Sequence, residues 1–186
     1  MKPLPFLSAD IPGTAGMLRQ KVEDFRVVEL PAYEACGEGD HILCWVTKRG
    51  LTSFEAVRRI AEALGVATSD IGVAGMKDKF AVTTQLISLP PPTTPEAALA
   101  LELEGLEILE ARRHTNKLKT GHLRGNRFDI VIRETAMSTT KALDHAQQTL
   151  AILSQAPGAA NWFGPQRFGR DGSTAEQGHR LVSDPS

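Results

Sequence analysis

Apolar and polar positions along the chain predict short strands that alternate with helices. Six segments have the alternating pattern or the β-branched and aromatic composition of strands. Turn-rich residues separate the first two of them, at "GEGD". The predicted strands are 24–30, 41–48, 70–75, 81–89, 106–114 and 127–134.

Three helices are predicted, two between these strands and one after the last of them. Thr52 and Glu55 have the spacing of a capping box, apolar residues follow at helical intervals, and Gly65 is a plausible stop. A proline-rich segment at 90–95 leads into a short helix that ends near Gly105. The segment 138–155 is predicted as a helix with Ser and Thr caps available at its start.

The order of these elements favours one fold class. Two strands precede each helix, which differs from the alternating strand and helix of a parallel nucleotide-binding sheet. The strand pairs and turn signals instead predict an α+β fold, with helices packed on a largely antiparallel sheet. The sequence contains no GxxxxGK[ST], GxSxG or HExxH motif.

Composition narrows the class of protein. The chain has 186 residues, of which 41% are hydrophobic and 23% charged, as is typical of a globular domain. Cys36 and Cys44 form neither a disulfide framework nor a zinc pattern, which favours a reducing compartment. We find no signal peptide and no apolar segment long enough to span a membrane, so we expect a cytoplasmic protein. No set of metal ligands has a recognisable spacing, so we expect no metal site.

Positive charge is concentrated in one segment. Residues 112–127, "RRHTNKLKTGHLRGNR", contain six Lys and Arg residues and no acid, so the rest of the chain carries −7 when the total is −1. Such segregation is typical of an edge that faces a polyanion. A flexible, solvated loop has the same composition, and the residues alone do not separate the two interpretations.

A single carboxylate lies between two lysines at the tip of a predicted strand pair. Asp78 is flanked by Lys77 and Lys79 in "GVAGMKDKFAVTTQ". Charged residues at such a tip are often only a solvated turn. The alternative is a carboxylate whose charge state is controlled for chemistry.

Aromatic residues gather in one glycine-rich and proline-rich segment. "NWFGPQRFGRDG", residues 161–172, holds three aromatic rings and two arginines, whereas aromatics make up only 5% of the chain. Such a segment is either a platform on which bases stack or a loop pinned to the core by its rings. Asn126 and Phe128 offer a similar pair: an amide that can read a base edge, or cap its own turn, and a ring that can stack.

These motifs, taken in order, closely resemble the TruD family of tRNA pseudouridine synthases. The motifs are "AGMKDKFAVTTQ", "LRGNRF" and "NWFGPQRFG", together with the block from "EDFRVVEL" to residue 66, and the resemblance covers most of residues 17–180. It implies an RNA-binding isomerase that converts uridine to pseudouridine in tRNA, typically at position 13. The family uses one essential aspartate and no cofactor, and the match places that aspartate at Asp78.

The resemblance also implies which residues bind the substrate. Phe25 and Phe128 are expected to pack against a flipped nucleotide, and Asn126 to orient Asp78 or the base. Lys77 and Lys79 are expected either to favour the charged form of Asp78 or to contact the RNA backbone. Gln85 is expected to support the loop. The last motif borders the same cleft through Asn161, Phe163, Gln166, Arg167 and Gly169.

Relatives in this family extend further than this chain. The resemblance predicts that residues 1–172 are the N-terminal part of the catalytic domain, and that 173–186 begin a second domain inserted into it. Two alternatives follow from the residues: an RNA-binding fragment without catalysis, and a hydrolase that uses Asp78 with a water molecule. The oligomeric state is not predicted.

Overall fold

The computed structural model describes residues 6–159 and 173–183. The chain forms two compact units: residues 15–136 make one, and residues 1–14 with 137–186 make the other. The domain boundary predicted at residue 172 stays a prediction. The elements are β1 Met17–Leu18, β2 Phe25–Pro31, β3 His41–Arg49, α1 Ser53–Leu64, β4 Gly72–Val73, β5 Val82–Leu89, α2 Pro95–Leu99, β6 Leu106–His114, β7 Leu123–Ile130, β8 Ile132–Arg133, α3 Thr139–Leu153 and α4 Ser173–Ser183.

A six-stranded mixed sheet organises the unit of residues 15–136. Its order is β6-β3-β5-β2-β7, and β4 pairs with β5 beside it. Every pairing in this sheet is antiparallel except that of β2 with β5. The predicted α+β class, with a largely antiparallel sheet, is confirmed.

Strands that follow each other in the chain are mostly not neighbours in the sheet. β5 lies between β2 and β3, and β6 and β7 occupy opposite edges. Only β4 and β5 among the three predicted strand pairs are adjacent. In a simple hairpin order β2 would pair with β3. Here β5 pairs with both of them, so contacts between distant parts of the chain set its position.

Three elements, β4, β7 and α2, differ most from their predicted bounds. β4 has only two residues, Gly72–Val73, and Asp70 belongs to a preceding 3-10 helix, Thr68–Asp70. β7 begins at Leu123, earlier than the predicted start at residue 127, so the end of the basic segment is strand. α2 ends at Leu99 and not near Gly105.

The helix α1 has the ends that its sequence predicts. The Thr52 side chain accepts a hydrogen bond from the Glu55 amide, and the Glu55 carboxylate accepts one from the Thr52 amide at 2.8 Å. Gly65 has φ of +67°, a conformation that costs glycine little. The buried face, Ala56, Ile60 and Ala61, packs on the sheet.

The two faces of the sheet bury separate clusters. Alternate residues of β3 point to opposite faces. Ile42, Cys44 and Val46 join the cluster under α1, whereas Leu43 packs on the other face with Leu86. We refer to the face that packs against α1 as the α1 face.

The other unit contains α3 and α4. The Ser138 side chain accepts a hydrogen bond from the amide of Lys141 and so caps α3, as predicted. Among residues 6–159 and 173–183, no helix combines the length and the apolar composition needed to cross a membrane.

Candidate active site

The loop of residues 74–81, which carries Asp78, connects β4 to β5 and is bonded to Lys48 and Gln85, both of which project to the α1 face. Paired residues of adjacent strands project to the same face. The register pairs Val27 with Thr83 and with Phe128, and pairs Glu29 with Asn126. The side chains of Phe25, Asn126 and Phe128 therefore share one face with this loop, although more than a hundred residues separate Phe25 from Phe128.

Asp78 presents its carboxylate to solvent beside a guanidinium group. Its side chain is 48% exposed, and Oδ2 lies 3.4 Å from Nη2 of Arg19. The Arg19 guanidinium carbon lies 3.9 Å from the centre of the Phe25 ring, within range of a cation–π interaction. Phe25 also meets Phe128 edge to face, with ring centres 5.9 Å apart. A carboxylate, a cation and two rings thus adjoin at one place.

A buried lysine holds the backbone of Asp78 from below. The Nζ of Lys48 donates hydrogen bonds of 2.6 Å to the carbonyl oxygens of Asp78 and Leu51. The residue is only 1% exposed. Burial lowers the pKa of Lys48 from 10.5 to about 8, an effect that the nearby Asp78 charge opposes.

Ser53 and Gln85 connect the same loop to α1 and β5. The Lys77 amide donates to Oγ of Ser53 at 2.9 Å, and this hydroxyl donates to Oε1 of Gln85 at 3.0 Å. The amide nitrogen of Gln85 donates to the Gly75 carbonyl at 3.3 Å. Gln85 therefore supports the loop, as expected, and these bonds place the Asp78 backbone in one position.

The two lysines that flank Asp78 point to different environments. The Lys77 ammonium lies 2.6 Å from the Glu29 carboxylate, and their side chains are 4% and 0% exposed. Glu29 also accepts a hydrogen bond from the Leu86 amide at 3.3 Å. Lys79 is 60% exposed and pairs with Glu55 at 3.5 Å. Of the two lysines, Lys79 is therefore the solvent-accessible one, whereas the Lys77 charge is neutralised inside the protein.

Of the residues predicted to hold a nucleotide, Phe25, Asn126 and Phe128 lie on the α1 face. Phe25 is buried, whereas Phe128 is 53% exposed. The Oδ1 atom of Asn126 is buried, and no described residue donates a hydrogen bond to it. Asn161, Phe163 and Arg167, with Gln166 and Gly169, lie outside the described residues.

Lys48 yields a prediction about stability and pH. Its folded pKa of about 8 is below the unfolded value of 10.5, so between these values the unfolded chain binds more protons. The free energy of unfolding therefore rises with pH in this window. Relative to Lys48→Met, the wild type should gain about 2 kcal/mol between pH 8 and pH 10 in urea titrations. A constant or falling difference contradicts the lowered pKa of Lys48.

Sequence reasoning missed three residues of this site. Arg19 lies outside every predicted element, and nothing near it indicates its contact with Asp78. Glu29 and Lys48 did carry a signal, since each occupies a position in its strand that alternation assigns to the buried face. A charged residue at such a position requires a partner inside the protein.

The groups around Asp78 do not have the composition of a metal centre. Within the described part of the chain, no three His, Cys, Asp or Glu residues are grouped so that they could hold a metal ion. What the arrangement offers is a positioned carboxylate, a cation beside it and apolar rings.

Comparisons with known proteins match this chain to one family. The family model of tRNA pseudouridine synthase D (TruD) matches residues 4–184. tRNA pseudouridine synthase D from Anaeromyxobacter dehalogenans strain 2CP-1 is 50% identical over 183 residues, which are 98% of this chain and 50% of that protein. The protein of the same name from Geotalea daltonii is 47% identical over 172 residues, covering 91% of this chain and 42% of that protein.

A solved structure agrees with the sequence matches. The crystal structure of a protein from Methanosarcina mazei, assigned to tRNA pseudouridine synthase D, superposes with a TM-score of 0.80 at 32% identity. The match covers 97% of this chain and 41% of that protein. The chain therefore belongs to the TruD family and has the α+β fold of its pseudouridine synthases. It spans about half the length of the curated relatives it matches.

Proposed function

We propose that this protein is a tRNA pseudouridine synthase, with uridine 13 as its target and Asp78 as its catalytic carboxylate. The observation that supports this best is the setting of Asp78. Its carboxylate is half exposed and adjoins Arg19 at 3.4 Å, while its own carbonyl is held by Lys48. A group that is accessible, balanced by a cation and fixed through its backbone is arranged for chemistry on a bound ligand.

The reaction needs no redox group. The bond between ribose C1′ and uracil N1 breaks, the base turns, and a bond forms between C1′ and C5. The C5 hydrogen leaves as a proton and N1 gains one, so that product and substrate have the same composition. An ionised Asp78 serves either by attacking the sugar or base, or by taking a proton from the ribose. Both routes remain open, and we propose no cofactor for either.

The rings and the amide near Asp78 suit a uridine that has left its stack. Such a base loses its stacking and pairing, and the enzyme must replace them. Phe128 offers an exposed ring beside Phe25. The unpaired Oδ1 of Asn126 is an acceptor of the kind that the imide N–H of uracil requires.

The two lysines receive different roles in this proposal. Lys79, which is exposed, contacts the RNA backbone, and Lys77 positions the loop through Glu29. Asn161, Phe163 and Arg167 are proposed as further substrate contacts, from their place in the family motif.

Release of tritium from tRNA labelled at uridine C5 tests this function. The assay uses this chain and, because the chain spans about half of its relatives, a chimera that continues after Ser186 with the remaining half of the Anaeromyxobacter protein. We expect tritium in water from at least the chimera, at about one equivalent per tRNA. Release of free uracil that keeps its label would indicate a hydrolase. Binding of tRNA without tritium release by either protein would indicate the alternative, an RNA-binding module.

A further inference from the structure

A cavity at the other end of the sheet, on the face opposite α1, combines positive charge with aromatic and imidazole rings. Its volume is about 670 Å³. The described residues that line it are Tyr33, His114, Asn116, Lys117, Lys119 and His122, none of which is acidic. All of them except Asn116 contribute ring or ammonium groups, and the set lies largely in the basic segment of residues 112–127. The active site described above uses none of these residues.

The rings in this cavity are held in fixed positions. The Tyr33 ring stacks on His114, with centres 5.2 Å apart and planes 15° apart. Its hydroxyl lies 2.7 Å from Nδ1 of His122. The Cys36 amide donates to Nδ1 of His114 at 3.3 Å, so a neutral His114 carries its proton on Nε2. Binding a ligand costs less conformational entropy when the donors and rings are already fixed than when they are mobile.

The basic loop between β6 and β7 is also anchored. Leu118 is 1% exposed, and its amide donates to the Ser88 hydroxyl at 2.9 Å. The Lys117 ammonium donates to the Ser69 carbonyl. The Gly121 amide donates to the Ala74 carbonyl at 2.8 Å, at the start of the loop that carries Asp78. These bonds anchor the segment, which the flexible-loop interpretation does not fit.

We propose that this cavity binds a second nucleotide of the RNA substrate, away from the target uridine. Lys119, whose side chain is exposed, meets a phosphate, and the imidazoles and Asn116 meet the sugar or base. The volume lies within the range of sites for small organic ligands. His41, which pairs with His114, is roughly 20 Å along β3 from Lys48 beneath Asp78. The proposal requires one folded RNA to reach both places, which lie on opposite faces of the sheet.

This inference rests on the proposed RNA substrate but not on catalysis. The test measures the Kd for an unmodified tRNA transcript over a range of salt concentrations. Lys119→Ala should weaken binding about threefold to tenfold and reduce the salt slope by about 1. His122→Ala should weaken binding about threefold or more, because it removes a ring that lines the cavity and the partner of the Tyr33 hydroxyl. Lys141→Ala, which removes an exposed lysine from α3, is the matched control and should change the affinity less than about twofold.

Two results overturn the proposal. Equal losses in Lys119→Ala and Lys141→Ala would show only general attraction of RNA to positive charge. Unchanged affinity in His122→Ala, with its thermal unfolding intact, would show that the rings bind no nucleotide. Tritium release is measured separately, so failure of the isomerase assay with these binding losses preserved removes the catalytic proposal and leaves the cavity.

Discussion

Replacing Asp78 by Asn is expected to reduce pseudouridine formation by a factor of about 10³ or more. The amide has nearly the same shape as the carboxylate, but it is neither a base nor a nucleophile at neutral pH. The exposed contact with Arg19 contributes little to folding, so the free energy of unfolding should change by less than about 1 kcal/mol. Single-turnover tritium release with excess enzyme measures the chemical step directly.

Asp129→Asn provides the matched control for this prediction. Asp129 also pairs with an arginine on the surface, Arg127, at 3.1 Å, and its side chain is 50% exposed, close to the 48% of Asp78. Its register with Arg26 places it on the face of the sheet away from the Asp78 loop. We expect full activity in Asp129→Asn. Comparable losses in the two variants would mean that the effect reflects surface charge and not catalysis.

Replacing Lys77 by Met is expected to destabilise the fold by about 3–5 kcal/mol. The change leaves Glu29, whose side chain is 0% exposed, without its cation. Glu29 then either stays charged in an apolar environment or takes up a proton, and both outcomes cost free energy. Urea titrations at pH 7 measure this loss.

The neighbouring lysine supplies the control within the same loop. Lys79→Met removes an exposed ion pair at 3.5 Å and should cost less than about 1 kcal/mol. Adding Glu29→Gln to Lys77→Met should recover much of the loss, because the amide remains an acceptor for the Leu86 N–H without requiring a cation. Equal destabilisation by Lys77→Met and Lys79→Met contradicts the buried pair.

Local signals in the sequence predicted the parts of the fold that depend on local physics. The capping box of Thr52 and Glu55 and the stop at Gly65 set both ends of α1. The strand order could not be predicted in this way, since β5 enters between β2 and β3 through contacts far apart in the chain. Short-range turn signals carry no information about such an insertion.

The same difference between local signals and long-range contacts applies to the candidate active site. Motif resemblance led to Asp78, Asn126 and Phe128, and the register shows that the two β7 residues face the Asp78 loop. The different settings of Lys77 and Lys79 were not predictable from their neighbours, because the position of Glu29 on β2 decides which lysine is buried. Arg19 meets Asp78 only through the tertiary fold, across 59 positions of sequence.

The measurement that tests the central claim most directly maps pseudouridine in an unmodified tRNA after treatment with the chimera and with its Asp78→Asn variant. Carbodiimide labelling followed by reverse transcription locates the modified base. The account predicts one new stop, at uridine 13, with the unsubstituted chimera and none with the Asp78→Asn variant. Stops of equal strength with both proteins, or no stop with either while tRNA binding is intact, would contradict Asp78 as the catalytic residue of a tRNA pseudouridine synthase.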